Sequence, residues 1–226
     1  GGQHHRGDER QQHNHRHHAA GGAGGGRIKI SVTGALAITG AISANGAGGA
    51  GNSGVIGAGG GSGGSIQVFA VDLSGGGTVT ANGGNGGPQT GGGGGGGRIA
   101  INAQSNPGVT VSAVGGCRAS TSGCSSTWAG AGTQYNGGSC HITTDNTGAG
   151  TSAATPILTS VSVAHLTVSG GSVMTAETTL EVQQVLTVEA GATFHSPSAT
   201  LALTAPTVNV AGLMLAAGDI ALLSTD

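Results

Sequence analysis

The side chains able to do chemistry are concentrated in two stretches of this 226-residue chain. The first is the N-terminal tract GGQHHRGDERQQHNHRHHAA, which holds six of the nine histidines and three of the seven Lys/Arg. Neutral imidazole is the commonest protein ligand for metals, so His4, His5, His13, His15, His17 and His18 together read as a Zn or Ni tract. The same composition, with no apolar residue before Ala19, also describes a solvated arm. Arg6-Gly7-Asp8 matches an integrin-type tripeptide, a signal with very little information. A polar arm of this kind becomes ordered only when something ties it down, and a neighbouring subunit is the expected tether.

The second stretch runs from Gly115 to Ser139 and, with Cys140 directly after it, carries Cys117, Cys124, Trp128 and Tyr135. Three thiols in a repeat-rich, secreted-type chain suggest one disulfide and one leftover. Cys117 and Cys140 bracket the segment, and closing it there would contribute about 3 kcal/mol on the loop-entropy model. Cys117 with Cys124 is the rival pairing, and the spare thiol is a candidate subunit cross-link. A zinc site from Cys124, Cys140 and His141 lacks the paired C-x-x-C spacing such sites use. Trp128 and Tyr135 read either as sugar-stacking surfaces or as plugs for a loop that otherwise lacks bulk.

Outside the tract the acids are Asp72, Asp145, Glu177, Glu181, Glu189, Asp219 and Asp226, mostly at isolated outward positions. Polysaccharide lyases and hydrolases need clustered carboxylates, Lys/Arg or calcium ligands. No GGxGxD calcium repeat occurs, and P-loop, Rossmann and Ser-His-Asp signals are absent. The sequence therefore assigns no catalytic residue and no cofactor, and the expected protein is not an enzyme.

Composition narrows the class further. Of the residues, 50 are Gly, 36% are apolar, 7% are charged and 2% are aromatic, too little bulk for an ordinary globular core. A formal net charge of -2 provides no field to attract nucleic acid or anionic lipid. No apolar run approaches the roughly 18 residues of a membrane span. The chain starts at Gly1, not at Met, which suggests a processed or partial product of a secreted protein.

Three organisational zones follow: a polar arm at 1–20, Gly-rich two-strand repeats at 21–150, and Gly-poor coils at 151–226. In the middle zone, glycine runs lead into Arg27-Ile28-Lys29-Ile30, Ser65-Ile66-Gln67-Val68, Arg98-Ile99-Ala100-Ile101 and Cys140-His141-Ile142-Thr143, with starts 38, 33 and 42 residues apart. A second series, at Ile42, Val79 and Val111, keeps step at 37 and 32. Two series in step identify a structural repeat. Ordered glycine is useful where backbones approach closely, as in polyglycine or polyproline II strands that bond only to neighbours. The run Gly91 to Gly97, followed by Arg98, is accordingly a candidate packing and assembly surface.

After Pro156 the repeat shortens to about 20 residues, with series at Leu166, Leu186 and Val208 and at Leu180, Leu201 and Ile220. Period-two alternation sends Leu and Val inward and Thr, Glu and Asn outward. The LTVxxG segments at Leu166 to Gly171 and Leu186 to Gly191 resemble the right-handed parallel β-helices of bacterial autotransporter passengers and filamentous-haemagglutinin-type adhesins. The segments from Gly60 to Gly87 and from Gly91 to Ile101 are similar to Gly-rich repeats of secreted surface proteins. The resemblance implies an all-β, elongated parallel β-solenoid with polyglycine-II-like excursions.

The expected role is a structural subunit of an extracellular filament or surface appendage. Ile220 and Leu222 would present an open coil end for head-to-tail homopolymerisation, with no nucleic acid and no membrane insertion. An adhesin-type module, binding a surface glycan, is the alternative. Ice binding would need a regular Thr ladder, of which only Thr78/Thr80 is evident.

Overall fold

A computed structural model describes residues 19–51, 56–104, 108–120, 123–147, 151–158, 160–178, 180–197, 200–205, 207–217 and 219–223. Within these the chain is all-β. The first repeats form β1 (Arg27–Ser31), β2 (Ala35–Ala37), β3 (Ala41–Ser43), β4 (Ser65–Phe69), β5 (Asp72–Ser74), β6 (Thr78–Thr80), β7 (Arg98–Asn102) and β8 (Thr110–Ser112). A linking region holds β9 (Cys117–Ser120), β10 (Gly123–Trp128), β11 (Thr133–Asn136), β12 (His141–Asp145) and β13 (Thr151–Ser152). The Gly-poor zone forms β14 (Ala154–Ile157), β15 (Val161–Ser169), β16 (Val173–Ala176), β17 (Leu180–Val188), β18 (Thr193–Ser196), β19 (Thr200–Thr204), β20 (Thr207–Val210), β21 (Leu213–Ala216) and β22 (Asp219–Leu223).

These strands do not make the single parallel β-solenoid that the sequence suggests. They belong to six separate sheets, and the largest is an eight-stranded mixed sheet in the order β1-β4-β7-β11-β12-β15-β17-β20. Antiparallel pairing occurs at β9·β10 and at β11·β12. The physical cause of the second is a tight reversal. Residues 137–140 turn the chain back on itself, Cys140 takes a left-handed φ of 46°, and the Asn136 carboxamide accepts the Gly138 N–H at 3.1 Å. The fourth strand of the Gly-rich series is consequently β11, with Thr133 beside Arg98, while Cys140 to Thr143 belongs to the turn and the returning strand.

The seam does more than reverse the strand direction. Cross-strand partners share one face of a sheet. Register links Ile66, Ile99, Gln134, Thr143 and Thr167 along one face, and Gln67, Ala100, Tyr135, Ile142, Leu166 and Leu186 along the other. Ile66 and Ile99 are buried on the first face, Leu166 and Leu186 on the second. The apolar side therefore crosses the sheet at β11/β12. Reversed direction and reversed face together amount to a half-turn about the stacking axis.

Two cores result. One gathers Ile38, Ile66, Val68, Leu73, Val79, Ile99 and Ile101 between the eight-stranded sheet, the pair β2·β5 and the sheet β3-β6-β8. The other gathers Leu166, Met174, Leu180, Leu186, Val188 and Phe194 between the opposite face of the large sheet and the sheet β14-β16-β18-β21. Period-two alternation supplies both, as in the burial of Ile66 and Val68 against the half-exposed Ser65, Gln67 and Phe69.

The glycine runs are ordered and carry their own hydrogen bonds. Gly60 and Gly63 donate to the carbonyls of Gly92 and Gly95 at 2.9 and 2.8 Å, and Gly61 and Gly64 donate to those of Ala47 and Ala44 at 2.8 and 2.7 Å. The same run accepts from Gly22 and Gly25 at 2.9 and 2.8 Å, and from Gly84 and Gly87 at 2.8 and 2.7 Å. Each neighbour is met at every third residue, the period of a polyproline II helix. Runs 20–26, 57–64 and 91–97 lie parallel in one layer, and runs 44–50 and 81–87 lie antiparallel to them in a second. Side chains cannot enter between the layers. A Cβ on Gly94 would overlap the Gly61 carbonyl, whereas one on Gly95 would meet only the Gly130 carbonyl at 3.9 Å.

Candidate functional site

The sequence-predicted residues fall in four places. His4, His5, His13, His15, His17 and His18 lie outside the described residues. Gly91 and Gly97 are inside the glycine bundle, where Gly91 donates to Gly87 at 3.1 Å and Gly97 to Ala81 at 2.7 Å, so they pack within the subunit. Arg98 begins β7 and is exposed. Ile220 and Leu222 lie on β22, opposite Leu201 and Leu203 of β19.

Of the three cysteines, Cys117 is bonded to Cys124 and Cys140 is a free, exposed thiol. The bracket from Cys117 to Cys140 is not formed. Cys117 and Cys124 lie on neighbouring strands β9 and β10, so the bond spans a sequence separation of only 7, and loop entropy limits its contribution to about 2 kcal/mol. Trp128 ends β10 in the same small sheet, opposite Cys117 and beside Ser152, and is half-buried. Among the described residues no group of three or more His, Cys, Asp or Glu is placed to hold a metal ion.

Asparagines fasten the glycine bundle, a role the sequence reading missed. Asn45 Oδ1 accepts the Asn82 N–H at 2.7 Å, Asn82 Oδ1 accepts the Val114 N–H at 2.9 Å, and Asn85 Oδ1 accepts the Cys117 N–H at 3.1 Å. Asn146, 2% exposed, closes the series by accepting from Gly115 at 2.8 Å and donating to the Ala129 carbonyl at 3.0 Å. The recurrence of Ala-Asn-Gly at Ala44 and Ala81 was the available signal.

The seam gathers the titratable side chains. The His141 and His165 rings face each other with centroids 5.6 Å apart, and His141 Nε2 is hydrogen-bonded to Thr167 Oγ1 at 2.8 Å. Burial, and secondarily the facing His165, hold the His141 pKa below the ordinary histidine value. Burial, with the neighbouring Cys140, pushes the Tyr135 hydroxyl above its ordinary value. Because the folded His141 is the weaker base, the unfolded chain binds more protons below about pH 6.5. Stability at this position is thus fully present above that pH and falls as the solution is acidified. Urea midpoints measured from neutral to mildly acidic pH should decline in the native chain, and His141→Gln should flatten the slope.

The edges of the large sheet form the remaining candidate surface. Ladder positions that are closed in the middle of each stack are open at its ends. Ile66, Val68, Leu73 and Val79 are at most 1% exposed, yet their partners Ile28, Ile30, Leu36 and Ile42 on the first strands are only half-buried. At the other end Val188 is fully buried and its partner Val210 is 47% exposed, while Leu213 at 51% and Leu215 at 44% stand on the outward face of β21, in register with Thr193 and His195. Comparison with known proteins finds no matching family model, no matching curated protein and no matching solved structure.

Proposed function

We propose that the chain is a structural subunit of an extracellular filament or surface appendage, joined edge to edge through β20 and β21 of one copy and β1 of the next. The supporting observation is the opening of both apolar stacks at opposite ends of one sheet, at Ile28 and Ile30 and at Val210. Unpaired strands with apolar flanks are templates for another strand. A heterologous contact between two different ends propagates without closing. The polar arm at 1–20 is then held by the neighbouring copy, and the exposed Cys140 is available for a bond between copies.

Negative-stain electron microscopy of the purified chain tests the reading. Native material should give long uniform fibres, and the double substitution Val210→Lys/Leu213→Lys should leave dispersed particles by charging the edge. Shortening of the fibres by reductant in the native chain, and not in Cys140→Ser, would assign the thiol to a subunit link. Dispersed particles at every concentration of the native chain would overturn the proposal.

A further inference from the structure

We propose that the outer face of β1, β4 and β7 binds an acidic polysaccharide through Arg27, Lys29 and Arg98. The inference is independent of assembly into fibres. Register places Arg27, Ser65, Arg98 and Thr133 in one row across the sheet, and Lys29, Gln67, Ala100 and Tyr135 in the row beside it. Seven Lys/Arg serve the whole chain, and three of the four among the described residues stand on this one face. No Asp or Glu among the described residues shares it. Neither Arg27 nor Arg98 is engaged by an ion pair or side-chain hydrogen bond among the described residues, and Lys29 Nζ lies 5.8 Å from the Phe69 ring centroid.

The face is concave for a topological reason. The second core lies on the same side of the large sheet as these cations, so the outer face of the first half ends against the body of the second half, with Tyr135 in the corner. A groove of about 470 Å³ runs over Arg27, Gln67, Arg98 and Tyr135. A second of about 470 Å³ continues above Gly26, Ser65 and Gly97 and shares both arginines. Glycine, serine and alanine floor this trough, so a flat ring can approach the backbone.

The chemistry selects an anionic sugar chain. The arginines lie two strands apart, roughly 9.6 Å along the ladder, with the Ser65 hydroxyl between them and the Gln67 amide alongside. A guanidinium fork takes a carboxylate or sulfate through paired hydrogen bonds, while hydroxyl and amide groups suit the ring hydroxyls between successive charges. Tyr135 offers one ring for stacking. A nucleic-acid strand would call for several stacking platforms, and here Phe69 is covered by Lys29.

The test is a binding titration of the full chain with polygalacturonate, dextran sulfate, neutral dextran and poly(dT) at low and physiological salt. Binding of at least one charged glycan, weakened by salt, is expected, with Arg27→Ser/Arg98→Ser losing about tenfold or more in affinity. That variant should keep the native unfolding midpoint, since both side chains are exposed, and Arg118→Ser on β9 should bind as the native chain does. Preference for polygalacturonate assigns the site to carboxylated glycans, and preference for dextran sulfate to sulfated ones. Equal affinity in the native chain and the double variant, equal binding of neutral dextran, or tighter arginine-dependent binding of poly(dT) would each overturn the assignment.

Discussion

Gly94→Ala should destabilise the fold by about 3 kcal/mol or more, and Gly95→Ala, one residue away, should change stability by no more than about 0.5 kcal/mol. The two positions share a run and a composition. They differ in what a methyl group would meet. At Gly94 it would overlap the Gly61 carbonyl, a backbone atom fixed by the Gly84 N–H at 2.8 Å and unable to rotate aside. At Gly95 the nearest atom is 3.9 Å away, an ordinary contact, and alanine also narrows the unfolded ensemble. Overpacking usually costs about 1 to 3 kcal/mol because side chains can give way. Here both partners are main chain, the situation in which collagen admits only glycine at its axis. Urea unfolding of the two variants beside the native chain decides the matter, and similar midpoints for both would mean that the layers are loosely packed.

Phe194→Ala should cost about 3 to 5 kcal/mol. The ring is fully buried among Leu166, Met174, Leu186 and Val188, and it is the largest buried side chain among the described residues. Its loss should be felt unevenly. The two cores lie on opposite faces of the common sheet and share no buried residue, so strain in one reaches the other through the β11/β12 seam and through polar links such as Asn146 to Gly115 and Thr155 to the Ala131 carbonyl. Hydrogen exchange read by mass spectrometry should show faster exchange in peptides from 161–217 and nearly native protection in 57–104. Equal loosening of both regions would show that the sheet couples the cores into one cooperative unit.

Much of the strand register could be read from spacing. Ile28, Ile66 and Ile99 pair in succession, as do Ile42, Val79 and Val111, because a buried face admits only one register. Leu166, Leu186 and Val208 do the same in the second half. The reversal was not legible, since β11 is Thr-Gln-Tyr-Asn and lacks the β-branched alternation that marks every strand aligned with it. His141-Ile142-Thr143 has that alternation, so it took the place of the strand it returns against. The choice between the two disulfide pairings was hidden for a related reason: β9 and β10 form a local hairpin that only spatial pairing reveals. The cationic face was hidden as well, because Arg27 and Lys29 stand two whole repeats before Arg98 and come onto one face with it only in register.

The crossing of the apolar side at β11/β12 also has a mechanical consequence. One core stands to the left of a common wall and the other to the right, so neither lies on the line joining the first and last strands of that wall. A pull applied along this line therefore loads the wall itself. Its shortest pairing is the seam, where the four-residue strand Thr133–Asn136 meets β12 over three residue pairs, against four to seven elsewhere in the sheet, so the seam is the rung where the load is shared among the fewest bonds.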